Sequence, residues 1–239
     1  MKATTLSKAL TILLGLCAAS ASAWAQATIS LSQVDLYTSS FVVNGSLDID
    51  NPPAASASGS ENWMGSASSN GTGSSSSSGN YTSQVGSGAF EISGTASASI
   101  TSASAGGNGV AAASLRIDFT VPVLSEGFLY TTATLFSSDS QTDANALTRL
   151  TLEEDSVEII RLELFATGSL NQTVSLSPGK SYTMWASLES AIGNSVGSKS
   201  ASASSGGTGM TVTAVPEPGT CLLVGLGLAT LLARRRRRN

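Results

Sequence analysis

The chain has 239 residues, of which 41% are apolar and only 12% are charged, about half the usual charged share of roughly 25%. It contains 44 serines, 24 glycines and no histidine. Without histidine, Ser-His-Asp and Cys-His catalytic arrangements and imidazole metal sites are excluded. We therefore predict a protein that is not an enzyme and that needs no cofactor.

Charge is distributed unevenly along the chain. Residues 26–214 carry five basic and fifteen acidic side chains, a net charge of −10, and the other seven bases lie near the two ends. An acidic body repels phosphate, so we expect no nucleic-acid partner. Cys17 and Cys221 also lie outside this body, so no disulfide joins its strands.

The first 25 residues have the parts of a secretory signal peptide. A basic N-terminal region with two lysines precedes the apolar residues 9–16. Ala23 and Ala25 flank Trp24 and form a small-x-small cleavage site before Gln26. The apolar part is well short of the ~20 residues that a spanning helix needs. The sequence therefore predicts export by the Sec machinery and cleavage before Gln26.

Strand-like alternation dominates the exported body, residues 26–214. Leu115, Ile117 and Phe119 alternate with polar residues, and the pattern recurs at 47–50 and 182–188. One buried and one wet face produce this period of two. Roughly eight to ten such short strands at regular spacing predict an all-β fold, an antiparallel β-sandwich or a jelly roll.

Residues 54–89 interrupt this pattern. Serine and glycine fill 20 of these 36 positions, and such small side chains bury too little apolar surface to offset the entropy lost on ordering. We therefore predict a flexible insertion. The alternative is a pair of Ser/Gly-rich strands at a sheet edge.

Two tryptophans are candidate sugar-stacking residues. Trp63 lies in polar sequence without an obvious core partner, whereas Trp185 lies in an alternating strand where packing is the competing interpretation. An indole ring offers a flat apolar face with a polar N–H. These residues raise the alternative that the body is a carbohydrate-binding β-sandwich.

Residues 150–165 predict a hairpin with a polar turn. Its outward positions break strict alternation near Ile159 and Ile160, which predicts a β-bulge there. Glu153, Glu154 and Asp155 at the turn are weak candidate ligands for a hard cation, since such ions prefer carboxylate oxygens. The alternative is that these acids are simply solvated at the tip.

Residues 215–239 contain three features in a fixed order. Residues 215–220 form a proline-containing segment that disfavours helix, and the apolar residues 221–233 predict a short transmembrane helix. A terminal basic cluster keeps the last residues in the cytoplasm by the positive-inside rule, and it consists of Arg234, Arg235, Arg236, Arg237 and Arg238.

This tail resembles the PEP-CTERM sorting domain of Gram-negative bacteria. The resemblance rests on Val215, Pro216, Glu217 and Pro218, on the short helix and on the arginine cluster, and it covers about 25 residues. It implies processing by exosortase, a membrane-embedded transpeptidase, after a single-pass intermediate in the inner membrane. It also implies release or transfer to the cell surface, in a family associated with extracellular polysaccharide and biofilm.

The sequence thus predicts an exported cell-surface or extracellular-matrix protein with a structural or adhesive role, and extracellular polysaccharide as a partner. The alternative is a carbohydrate-binding module anchored permanently in the membrane by an unprocessed helix.

Overall fold

The computed structural model describes residues 27–42, 45–50, 59–86, 88–138 and 143–215, with the backbone alone for 102–105 and 194. The predicted signal peptide, the helix at 221–233 and the arginine cluster lie outside these residues. Within them, no helix is long and apolar enough to cross a membrane.

The described chain is built from antiparallel strands, which confirms the all-β prediction. The strands are β1 (Thr28–Val42), β2 (Asp48–Asp50), β3 (Gly59–Asn70), β4 (Ser74–Val85), β5 (Ala89–Thr120), β6 (Ser125–Ser137), β7 (Ala144–Glu154), β8 (Val157–Leu164), β9 (Gly168–Leu176) and β10 (Ser181–Ala214). The expectation of uniformly short strands is wrong for β5 and β10, which run for 32 and 34 residues.

The two long strands fold the sheet over on itself. Phe90 and Phe119 lie near opposite ends of β5, a separation of about 95 Å in a straight strand at ~3.3 Å per residue. Their ring centroids are nevertheless 5.1 Å apart. Glycines with positive φ, Gly106 in β5 and Gly197 in β10, lie where both strands turn back.

Folding over produces two packed layers. The first layer has the order β8, β7, β10 (181–192), β5 (107–120), β1 and β2. The second layer has the order β9, β6, β10 (199–214), β5 (89–101), β4 and β3. The predicted β-sandwich is therefore present, with its two layers joined by continuous strands.

Large apolar side chains fill the sandwich at the end away from the bend. Phe119 packs against both Phe90 and Tyr182. The ring centroids of Phe119 and Tyr182 are 5.5 Å apart. We call this part the apolar end, and its fully buried members include Phe90, Ile92, Leu115, Ile117, Phe119, Leu129, Leu150, Leu152, Leu176 and Tyr182.

Nearer the bend, serines connect the layers. Ser40 of β1 donates a hydrogen bond to the Ala67 carbonyl at 3.0 Å, and its Oγ lies 3.2 Å from Ser77 Oγ. Ser77 donates to the Ser39 carbonyl at 2.9 Å. We call this part the serine end, and its buried members are Ser39, Ser40, Ser69, Ser75 and Ser77.

The prediction of a flexible insertion at 54–89 is wrong for the residues that the structure describes. Residues 59–70 and 74–85 are β3 and β4, paired in register along their whole length. Their inward serines are small enough for close approach of the layers and hydrogen-bond across the gap. Ordering a serine side chain also costs little rotamer entropy, since it is short. The alternative of a Ser/Gly-rich strand pair at the sheet edge is confirmed.

The predicted hairpin at 150–165 is confirmed as β7 and β8. Its turn is tighter than predicted, because both strands continue up to Asp155 and Ser156, which have positive φ values of 48° and 68°. Register shifts by one residue between the pairs Leu152 with Ile160 and Glu153 with Glu158. Ile159 is the extra residue, which confirms the predicted bulge.

Candidate functional site

The acids at the hairpin tip are engaged in contacts within the protein. Lys180 Nζ donates to Asp155 Oδ2 at 2.5 Å, and the Tyr182 hydroxyl donates to Glu154 Oε2 at 3.0 Å. The ammonium group holds the pKa of Asp155 below its usual value. Among the described residues, no group of three or more Asp, Glu or Cys side chains is arranged to hold a metal ion.

Trp63 lies at the edge of the second layer and faces inward. Its ring is half-buried and packs against the apolar core, and its indole N–H donates to Ser83 Oγ at 3.2 Å. The partner that the sequence did not reveal is therefore the core of the sandwich itself.

Trp185 lies on the outer face of the first layer. The guanidinium carbon of Arg116 is 5.0 Å from the centroid of its ring, within the range of a cation–π interaction. Arg116 also makes a bidentate ion pair with Asp118. Trp63 and Trp185 therefore occupy different layers and opposite sides of their sheets, and the structure does not bring them to a common surface.

The outer face of β6 exposes aromatic side chains. Phe128, Tyr130, Thr132, Thr134 and Phe136 alternate with buried positions and point away from the sandwich. The rings of Phe128 and Tyr130 are nearly parallel, with an interplanar angle of 25° and centroids 6.0 Å apart. We call these five outward residues the β6 track.

Glu91 from β5 fixes the position of Tyr130. The phenol donates a hydrogen bond to Glu91 Oε2 at 2.7 Å, and burial together with this bond raises the pKa of Tyr130, so it stays protonated. Both groups lie above Gly207, where a Cβ atom would be 3.1 Å from Glu91 Oε1 and 3.3 Å from Tyr130 Cε2. Glycine at this position therefore lets the ring and the carboxylate lie close to the sheet.

A cleft lies at the far end of the β6 track. It has a volume of about 240 Å³, and its lining residues are Leu135, Phe136, Ser137, Asn145, Ala146, Phe165, Ala166 and Thr167. Phe165 lies between β8 and β9, which are the edge strands of the two layers. The cleft therefore lies where the edges of the two layers meet. Sequence reasoning did not single out these side chains. The available signal was the period of two in β6, in which all three aromatic residues, Phe128, Tyr130 and Phe136, fall on one face of the strand.

The last strand ends where the proline-containing segment begins. Ala214 pairs with Ser125, and the backbone N–H of Val215 donates to the Leu124 carbonyl at 2.9 Å. The family model for the PEP-CTERM protein-sorting motif matches residues 214–238. The chain carries a PEP-CTERM sorting motif.

The PEP-CTERM motif indicates an exported protein that exosortase processes and that is sorted toward the cell surface. Its match starts at the final residue of β10, so the motif follows the folded body without an intervening linker. Pro216, Glu217 and Pro218, which carry the motif, lie outside the described residues.

Other comparisons add little about the body. No curated protein matches the chain. A solved structure of TmCBM61 in complex with β-1,4-galactotriose is 9% identical, with a TM-score of 0.25, and the match covers 50% of this chain and 71% of that one.

Proposed function

We propose that this protein is an exported matrix or surface protein that exosortase cleaves near Pro216-Glu217-Pro218, and that its β-sandwich has a structural or adhesive role in extracellular polysaccharide. Residues 1–25 direct Sec export, and the helix at 221–233 holds a single-pass intermediate in the inner membrane. The arginine cluster orients that intermediate by the positive-inside rule.

The observation that carries the proposal is the position of the sorting motif directly after β10. Because the strand pairs of the described residues end at Ala214, cleavage at the following prolines leaves all of those described pairs intact. Proline disfavours helix for the residue before it, which keeps the segment extended and open to a protease. Removal of the tail thus releases a folded domain.

The surface of the second layer supports a role among polysaccharides. Outward serines form hydroxyl pairs between β4 and β5, with Ser76 Oγ 2.8 Å from Ser99 Oγ and Ser78 Oγ 2.9 Å from Ser97 Oγ. Hydroxyl groups both donate and accept hydrogen bonds, as sugar hydroxyls do. These neutral hydroxyls keep the part of the face over β4 and β5 hydrated.

The test is the intact mass and cell fraction of the protein when Pro216, Glu217 and Pro218 are all replaced by Ala. We expect the native protein outside the inner membrane without its arginine cluster, and the variant in the membrane at full length after the signal peptide. Pro178→Ala, in an exposed turn of the body, is the matched control and leaves processing unchanged.

The proposal is overturned when the native protein and the triple variant both keep Arg234 to Arg238 and stay in the membrane. The tail is then a permanent anchor.

A further inference from the structure

We propose that the β6 track binds an extended neutral polysaccharide, with its aromatic rings stacked on sugar rings and the adjacent polar groups bound to sugar hydroxyls. This inference deepens the proposed function, on which it rests, by naming the surface and the class of glycan. It assigns the binding to Phe128, Tyr130 and Phe136.

The first support is where this chain leaves its aromatic side chains. It has only six phenylalanines, and three of them are solvent-exposed along the β6 track and its cleft, Phe128 at 43%, Phe136 at 56% and Phe165 at 60%. Isolated exposed apolar residues are ordinary, but grouped aromatics on one face mark interaction surfaces. The remaining phenylalanines, Phe41, Phe90 and Phe119, are half-buried or buried.

The second support is the shape of the track. From Phe128 to Phe136 it spans about 27 Å at ~3.4 Å per residue, and aromatic residues lie at both ends with Thr132 and Thr134 between them. Thr132 donates to the Gly207 carbonyl at 3.3 Å. An exposed row of side chains of this length suits a linear polymer that contacts several of them in turn.

The chemistry of the track matches the two sides of a sugar ring. A pyranose has an apolar C–H face and a rim of hydroxyls, so it requires a flat apolar surface with hydrogen-bonding groups beside it. The paired rings of Phe128 and Tyr130 supply the surface, and the carboxylate of Glu91 supplies an acceptor. Few polar groups placed among aromatic side chains are typical of small-molecule and sugar sites.

Charge decides which glycans are accepted. The strands that pair around Phe128 and Tyr130 place two charged side chains on this face, Glu91 and Glu126, and both are acidic. The whole body carries a net charge of −10 between residues 26 and 214. Repulsion therefore disfavours uronic-acid polymers, and the surface is complementary to neutral ones.

The cleft at Phe136 and Phe165 gives the track a defined end. Its volume of about 240 Å³ lies below the ~300–1,000 Å³ typical of small-molecule pockets, so it accommodates a small group rather than a long oligomer. We infer that the cleft receives a branch or chain end of a glycan that lies along β6.

The test is affinity electrophoresis of the exported protein purified from producing cells. Gels contain a neutral glycan (hydroxyethylcellulose, xyloglucan, galactomannan or dextran), the anionic glycan alginate, or no glycan. We expect retardation by at least one neutral glycan and none by alginate. Phe128→Ala with Phe136→Ala is expected to weaken binding about 25-fold, since each stacked ring contributes roughly fivefold.

The matched control is Tyr37→Ala, which removes an exposed aromatic ring from the outer face of the first layer. This variant is expected to migrate as the native protein does in every gel. The inference is overturned if none of the four neutral glycans slows the migration of the native protein. Equal loss of binding in the track variant and the control also overturns it.

A second copy of this chain is the other possible occupant of the aromatic face, and light scattering tests for it by measuring the oligomeric state. When the track variant converts a dimer to a monomer and leaves glycan retardation unchanged, the face is an interface between copies and the inference is wrong. Failure here is separate from failure of the proposed function, which is measured by intact mass and cell fraction.

Discussion

The apolar end and the serine end hold the same two layers together in different ways. At the apolar end, Phe90, Phe119 and Tyr182 exclude water by bulk. At the serine end, Ser40 and Ser77 replace that bulk with hydrogen bonds. Burial of apolar area stabilises by about 25 cal/mol per Å², whereas a neutral hydrogen bond contributes about 1 kcal/mol net. The difference predicts that mutations have unequal effects at the two ends.

The largest effect is expected from Phe119→Ala at the apolar end. The ring is fully buried between two others, so truncation leaves a cavity and costs about 3–5 kcal/mol of the free energy of unfolding. Urea denaturation measures it. The matched control is Phe128→Ala on the β6 track, where the loss is expected to stay within about 1 kcal/mol. Similar losses in both variants would contradict the assignment of Phe128 to an exposed surface.

A smaller effect is expected from Ser77→Ala at the serine end. The change removes the hydroxyl that reaches Ser39 and Ser40 across the layers but creates almost no cavity, so the cost is about 1–2 kcal/mol. Ser76→Ala is the control, because that hydroxyl is exposed and bonds to Ser99 on the outer face. A loss of less than ~0.5 kcal/mol for Ser77→Ala would mean that the hydrogen bonds do not stabilise the layer contact.

Removal of a buried hydroxyl that has no hydrogen-bond partner is expected to increase the free energy of unfolding. Thr148 is buried in β7, and its Oγ1 has no hydrogen-bond partner in the described part of the chain. Thr148→Val keeps the shape and removes a buried polar atom, so we expect a gain of up to about 1 kcal/mol. The control is Thr131→Val, which breaks the 2.9 Å contact with Thr208 and is expected to destabilise. Destabilisation by Thr148→Val would indicate a bound water at Oγ1.

The weakest effect is expected from the exposed ion pair at the hairpin tip. The pKa of Asp155 is lowered from 3.8 by Lys180, so its contribution is present above pH 3.8 and disappears as pH falls through the lower folded value. The pKa of Lys180 is raised from 10.5 by Asp155, so its contribution is present below pH 10.5 and disappears as pH rises through the higher folded value.

Asp155→Asn tests this dependence by urea denaturation from pH 2 to pH 7. The stability difference from the native protein is expected to be small and nearly constant at neutral pH, and to decrease as pH falls below 4. A difference that does not decrease between pH 4 and pH 2 would show that the variant acts through the turn backbone, since Asp155 has a positive φ.

Much of the fold was readable from the sequence. A period of two at 115–121 and 182–188 predicted strands, and broken alternation at Ile159 predicted the bulge. The assignment of 54–89 as flexible failed because it considered only how much apolar area these residues can bury. β3 and β4 are instead stabilised by hydrogen bonds to β1. Those bonds join residues about 27 to 38 positions apart, a distance that local patterns do not report.

The candidate sites divide in the same way. The sorting motif is contiguous, so the sequence by itself determined it, together with strand periodicity and the acidic charge of the body. Only the tertiary structure decided that Trp63 packs on the core, that Trp185 lies under Arg116, and that β6 exposes its aromatic face. Periodicity tells which residues share a face of a strand. Which face is covered depends on how β5 and β10 fold back, and that is set by contacts between distant segments.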